Sequence, residues 1–170
     1  MYDIYVKDGE NIRYVLGTKG DKTLTVFGIN PSTATDEKSD PTISRLNTYL
    51  KKYGFDSFKM LNICPLRATY PDSLPPLLDG DVHKRNLTEI KSALADTSAI
   101  LCAWGNLIFK RQYLPDCFKD IAEIISQSQI PVYCLGKTNS GNPRHPLARV
   151  KTPEQLAAFD IDGYVNRLLK

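Results

Sequence analysis

The chain lacks most of the features that would classify it quickly. Among its 170 residues no apolar run approaches the roughly 20 needed to span a bilayer. The opening MYDIYVKDGE has none of the basic-then-apolar order of a secretory leader. These absences predict a cytoplasmic protein with no membrane partner. Only four cysteines are present, none in C-x-x-C spacing, and only His83 and His145 could add nitrogen ligands. No metal site and no cofactor are therefore expected, and the cysteines read as reduced, buried thiols. There is no G-x-S-x-G elbow, no H-E-x-x-H, no phosphate-binding P-loop and no G-x-G-x-x-G. Nucleophilic chemistry at Ser32 or Ser140 would have to borrow His145 as base, which leaves a triad weakly founded. A strong excess of either charge is also lacking: the net charge of +3 permits nucleic-acid binding without requiring it.

What the chain does contain is an ordered alternation of elements. Residues 2–7 and 12–16 flank Asp8-Gly9, a hairpin signal. The β-branched apolar run 23–29 ends at Asn30-Pro31. Asp40-Pro41 reads as a helix cap followed by proline at the first helical position, and Ile43, Leu46, Leu50 and Tyr53 keep helical spacing up to Gly54. A strand over 58–63 leads into a proline-rich loop from Pro65 to Asp79, and a helix over about 82–95 precedes a strand at 98–104. A helix over about 114–126 precedes 131–135. The tail predicts a short helix opened by Thr152-Pro153 and a last helix near 162–169.

Helices between apolar strands imply right-handed crossovers and a mainly parallel sheet, so one α/β domain over residues 1–170 is expected. Ligands of such sheets bind beyond the carboxyl ends of the strands. Those exits are GINPST, LNICPLRAT, AWGN and the long GKTNSGNPRHPLARV, all rich in polar residues. Each candidate has a plain structural reading beside the functional one. Asn30 is either a turn initiator or a ligand group. Asn62 interrupts an apolar strand, where a carboxamide without partners costs about 1–3 kcal/mol. Trp104 is a core anchor or a pocket wall. His145, flanked by Arg144 and Pro146, sits in a stiff loop without apolar periodicity, whereas His83 lies on a helix between charged residues.

In chain order GINP, MLN, AWG and RHP resemble the four signature segments of the uracil-DNA glycosylase superfamily. NPSTA, DPT, LRAT-x-P, AWGN and TNSGNPRHPL also resemble the domain of unknown function 1643 family, over roughly residues 12–150. The resemblance implies a three-layer α/β/α sandwich with a central, mainly parallel four-stranded sheet plus an N-terminal hairpin. It also implies a pocket for a nucleobase, carried by DNA or by a nucleobase-containing small molecule.

Residue by residue, the resemblance makes Asn30 and His145 catalytic: Asn30 positions the attacking water and His145 stabilises charge on the departing base. It makes Asn62 match a base edge and Arg144, Arg149 and Lys151 hold phosphate; Ser32, Thr33, Arg67, Trp104 and Asn106, at the same polar strand exits, join Asn62 and Arg144 as candidate substrate-binding residues. The implied activity is hydrolysis of an N-glycosidic bond in DNA. The alternatives are an enzyme acting on a free nucleoside or nucleotide and a non-catalytic nucleobase-binding module. The chain departs from the glycosylase pattern in Ser32-Thr33 after the first motif, in the lack of a clear stacking aromatic beyond Tyr70, and in Leu147 as its only wedge. It departs also in the acids Asp36, Glu37 and Asp40 beside that motif.

Overall fold

The computed structural model describes residues 2–32, 41–149 and 155–170. Its frame is a seven-stranded sheet in the order β1-β2-β4-β3-β5-β6-β7. Strands β1 (Ile4–Asp8) and β2 (Ile12–Gly17) form the expected hairpin, with Gly9 in the left-handed region at the turn (φ 54°). The four strands β3 (Thr23–Gly28), β4 (Ser57–Asn62), β5 (Thr97–Cys102) and β6 (Val132–Cys134) are mutually parallel. The hairpin does not stand apart from them. Its second strand pairs antiparallel with β4, Leu16 opposite Met60, and so extends the sheet.

Helix α1 (Pro41–Tyr53) is the one described helix on its face of the sheet, burying Ile43, Leu46, Tyr49 and Leu50 against Leu24, Val26, Phe58, Met60 and Leu101. It stops at Gly54 (φ 72°), where the Phe55 amide returns to the Leu50 carbonyl at 3.0 Å, a closure that needs a residue free to turn left-handed. Helices α2 (Gly80–Leu94), α3 (Tyr113–Ser128) and α4 (Ile161–Leu168) share the other face with Phe27, Leu61, Ile63 and Ile100. Asp79 caps α2 by accepting the Asp81 amide at 2.8 Å.

The tail corrects one expectation. Thr152-Pro153, like the Asp40 cap, lies outside the described residues, and the segment after it is no helix. Ala157–Ala158 form β7, antiparallel to β6. The exposed edge of β6 offers unpaired backbone groups, and satisfying them outweighs the helical propensity of an Ala pair.

All four cysteines are free and buried, and burial raises the thiol pKa of each, that of Cys117 to about 12. Among the described residues no helix is long and apolar enough to cross a membrane, and no group of three potential ligands could hold a metal ion.

Candidate functional site

Parallel strands end together, and at the carboxyl ends of β3, β4 and β5 the sheet opens into a cavity of about 160 Å³. The exit of β3 supplies Gly28, Asn30 and Ser32. The first turn of α1 supplies Thr42 and Ile43, the loop after β4 supplies Ala68 and Thr69, and His145 comes from the loop after β6. Trp104 and Leu107, from the end of β5 and the turn behind it, complete that side.

Asn30 is held in one orientation. Its Nδ2 donates to the carbonyls of Pro31 (3.0 Å) and Ala68 (2.9 Å). Only the NH₂ end of a carboxamide can serve two carbonyls, so the flip is set and Oδ1 is the acceptor Asn30 has to offer a ligand. The tie to Ala68 also joins the exits of β3 and β4 across one edge of the cavity.

His145 is fixed with equal economy. The Leu147 amide donates to its Nδ1 at 3.2 Å, and Ala148 closes the turn by donating to its carbonyl at 2.9 Å. An Nδ1 that accepts carries no proton, so the neutral ring bears its proton on Nε2 and acts there as a donor. Behind this loop runs a buried chain of hydrogen bonds. Trp104 Nε1 donates to the Tyr164 hydroxyl (3.1 Å), which donates to Asn142 Oδ1 (2.7 Å). The Asn142 Nδ2 and the Thr138 hydroxyl both donate to Asn106 Oδ1, at 2.9 and 2.8 Å. Gly105, at φ 64°, donates its amide to the Pro143 carbonyl (2.7 Å) and brings its Cα close under the His145 side chain.

Trp104 is thus wholly buried among Phe118, Phe159 and Tyr164, reaching the cavity only as part of its wall. Asn106 is spent on the loop and does not line the cavity. Arg67 lies outside the lining as well. Its guanidinium donates to the Ser32 carbonyl (3.1 Å) and to the Tyr5 hydroxyl, stapling the exit of β3 to the hairpin. Arg144 packs over Gly136, next to the cavity-lining His145 but not itself in the wall. Thr33 and Lys151 lie outside the described residues, as do Asp36 and Glu37. Tyr70 and Leu147 are exposed on loops whose neighbours Thr69 and His145 line the cavity.

Asn62, at the end of β4, is 1% exposed, and neither its Nδ2 nor its Oδ1 has a hydrogen-bond partner. It sits behind Gly28: a Cβ there would lie 3.2 Å from Asn62 Oδ1 and 2.8 Å from Met60 Cε. Of the lining residues only Asn30, Ser32, Trp104 and His145 were candidate site residues; Arg13 and Gly28 are among those that were not. Arg13 is the second residue of the apolar strand β2 and is 2% exposed. A charge where the alternation calls for a core residue was the available signal.

A family model described as "Protein of unknown function (DUF1643)" matches residues 13–147, from the buried Arg13 to just past His145. No curated protein and no solved structure matches the chain.

Proposed function

The chain belongs to the DUF1643 family, and we propose that its cavity takes a nucleobase and hydrolyses the N-glycosidic bond that holds it, with a base in DNA as the substrate. What carries the reading is the pairing of two pre-set groups at one cavity: an acceptor on Asn30 and an Nε2–H donor on His145. A carboxamide is too weak a base to ionise water, so Asn30 Oδ1 orients the nucleophile by hydrogen bonding alone. Bond cleavage then has to run ahead of attack, with the electron pair of the C–N bond passing to the base. His145 donates toward that developing negative charge, and a donor placed in advance needs no reorganisation at the moment of reaction. Water delivers its hydroxyl to the sugar carbon and its proton ends on the base. A base in a duplex reaches such a pocket only by leaving the stack.

The central parallel sheet with helices on both faces agrees with the glycosylase-like sandwich that the motif order implies. A second reading, hydrolysis of a free nucleoside or nucleotide, is favoured by Asp36, Glu37 and Asp40 between the first motif and α1, which repel a phosphate backbone. The test is base release from a panel of modified-base oligonucleotides and the matching nucleosides, with the wild type beside His145→Ala. Release from oligonucleotides that the variant loses supports the first reading, and release from nucleosides alone supports the second. A ligand bound without any release makes the protein a binding module.

A further inference from the structure

Arg67 turns away from the cavity toward two oxygens on different elements. Its Nη1 donates to the Ser32 carbonyl at 3.1 Å, and its Nη2 donates to the Tyr5 hydroxyl on β1. A guanidinium is a rigid planar fork, so the two oxygens it holds are fixed relative to each other. The backbone around it is held as firmly. The Arg67 amide donates to the Asn11 carbonyl at 2.8 Å, the Arg13 amide donates to the Pro65 carbonyl at 2.9 Å, and Ile12 bridges to Leu66 between them. The loop after β4 is therefore laid along the turn of the hairpin.

The same loop grips the exit of β3 on its other side. The Ala68 amide donates to the Pro31 carbonyl at 3.0 Å, and Asn30 Nδ2 donates to the Ala68 carbonyl at 2.9 Å. Arg67 takes the next carbonyl along, that of Ser32. Two successive loop residues thus pin three successive residues of the exit, Asn30 to Ser32. A carboxamide is oriented only as well as the carbonyl that receives it is held. The carbonyl that receives Asn30 belongs to the residue after Arg67, so any shift of Arg67 away from Tyr5 reaches Asn30.

We propose that Arg67 is a positioning residue: with Tyr5 it fastens the exit of β3 to the N-terminal hairpin and so sets the Asn30 carboxamide at the cavity. That Asn30 orients water rests on the nucleobase reading above, whereas the frame around its carboxamide does not. An Arg67 that held a substrate phosphate would act by its charge, which lysine keeps. A positioning Arg67 acts through its fork, which lysine lacks, and depends on Tyr5, which lies outside the cavity lining.

The variants are Tyr5→Phe, Arg67→Lys and the two combined, each in the full chain, with thermal melts to record folding. The first readout needs no turnover: the side-chain NH₂ signals of Asn30 in the NMR spectrum of isotope-labelled protein, assigned by their loss in Asn30→Asp. In both single variants these signals should move and exchange faster with water, while the backbone signals of α3 and α4 keep their places. The second readout is base release. Each single variant should lower kcat about 10–100-fold with KM unchanged, as expected when a group at the reacting centre is displaced from a distance by up to about 1 Å. The combined variant should lose no more than Arg67→Lys alone, because both changes break one linkage.

The proposal is overturned if the Asn30 signals keep their wild-type positions in both single variants, whatever the turnover. It is equally overturned if Arg67→Lys raises KM while Tyr5→Phe behaves as wild type, since Arg67 then meets the substrate itself. Losses that multiply in the combined variant overturn it too, as two unrelated contacts. Displaced Asn30 signals in a protein that releases no base uphold the frame and remove only the proposed reaction.

Discussion

Replacing Tyr164 with phenylalanine removes one oxygen and keeps the ring that packs against Trp104, Phe118 and Phe159. That oxygen accepts from Trp104 Nε1 at 3.1 Å and donates to Asn142 Oδ1 at 2.7 Å, and Tyr164, Trp104 and Asn142 are all buried. The change strands one donor and one acceptor away from water. At about 1–3 kcal/mol for each unsatisfied group, with the two partly coupled, a loss of about 2–4 kcal/mol is expected. For a chain of this size that corresponds to a fall of roughly 4–16 °C in melting temperature. The loss has an address as well. Asn142 ties the loop after β6 to Asn106, so amide exchange over residues 136–149 should quicken more than exchange in β3 or α1. A melt displaced by less than about 2 °C, with unchanged exchange in that loop, would refute the view that this chain of hydrogen bonds fixes the His145 loop.

Further outcomes follow from the same geometry. If the protein releases bases, His145→Ala should lower the rate by about 10²–10³, the value of one donor to a developing anion. His83→Ala should leave the rate alone, because His83 pairs with Asp120 between α2 and α3 (2.8 Å), outside the cavity lining. Equal losses in the two variants would remove His145 from the chemistry. Asn30→Asp sets a carboxylate against the Pro31 and Ala68 carbonyls that now receive Nδ2–H, so turnover should fall at least as far as in Asn30→Ala. An Asp variant faster than wild type would mean that the residue acts as a base.

Burial pushes the Tyr164 phenol up to about 12, the Trp104 hydrogen bond opposing it, against an ordinary value of 10.0. The folded state keeps a proton that the unfolded chain gives up, so this contribution is complete below pH 10 and fades as pH rises toward 12. Denaturant melts of the wild type should steepen their decline in that window relative to Tyr164→Phe. The four buried thiols should resist a thiol reagent at pH 8 and react fully in denaturant, and rapid reaction of even one in the native protein contradicts its burial.

Local chemistry was enough to place most elements. Gly54 stops α1 because only glycine turns left-handed without strain, and Asp8-Gly9 closes the hairpin for the same reason. Continuous apolar runs marked β3 and β5 as strands covered on both faces. The same alternation of strand and helix put the exits of β3, β4, β5 and β6 on one edge, which brought Asn30, Trp104 and His145 to one cavity. The β7 segment was not legible, since two alanines carry no strand signal and pair only because β6 leaves an edge there.

The candidate site divides along the same line. The sequence by itself determined which polar residues leave the strands and in what order, because a strand exit is a local event written in a few neighbouring residues. Tertiary structure alone decided which of them face the cavity. Arg67, Asn106 and Trp104 turned to neighbours 35–62 residues away in the chain and became scaffold. Arg13 and Gly28 became walls because β2 pairs with β4 and β3 lies beside β4, a register set by packing over the whole sheet. A side chain's partners depend on which strands become neighbours, and that choice is a sum over many weak contacts that no short motif records.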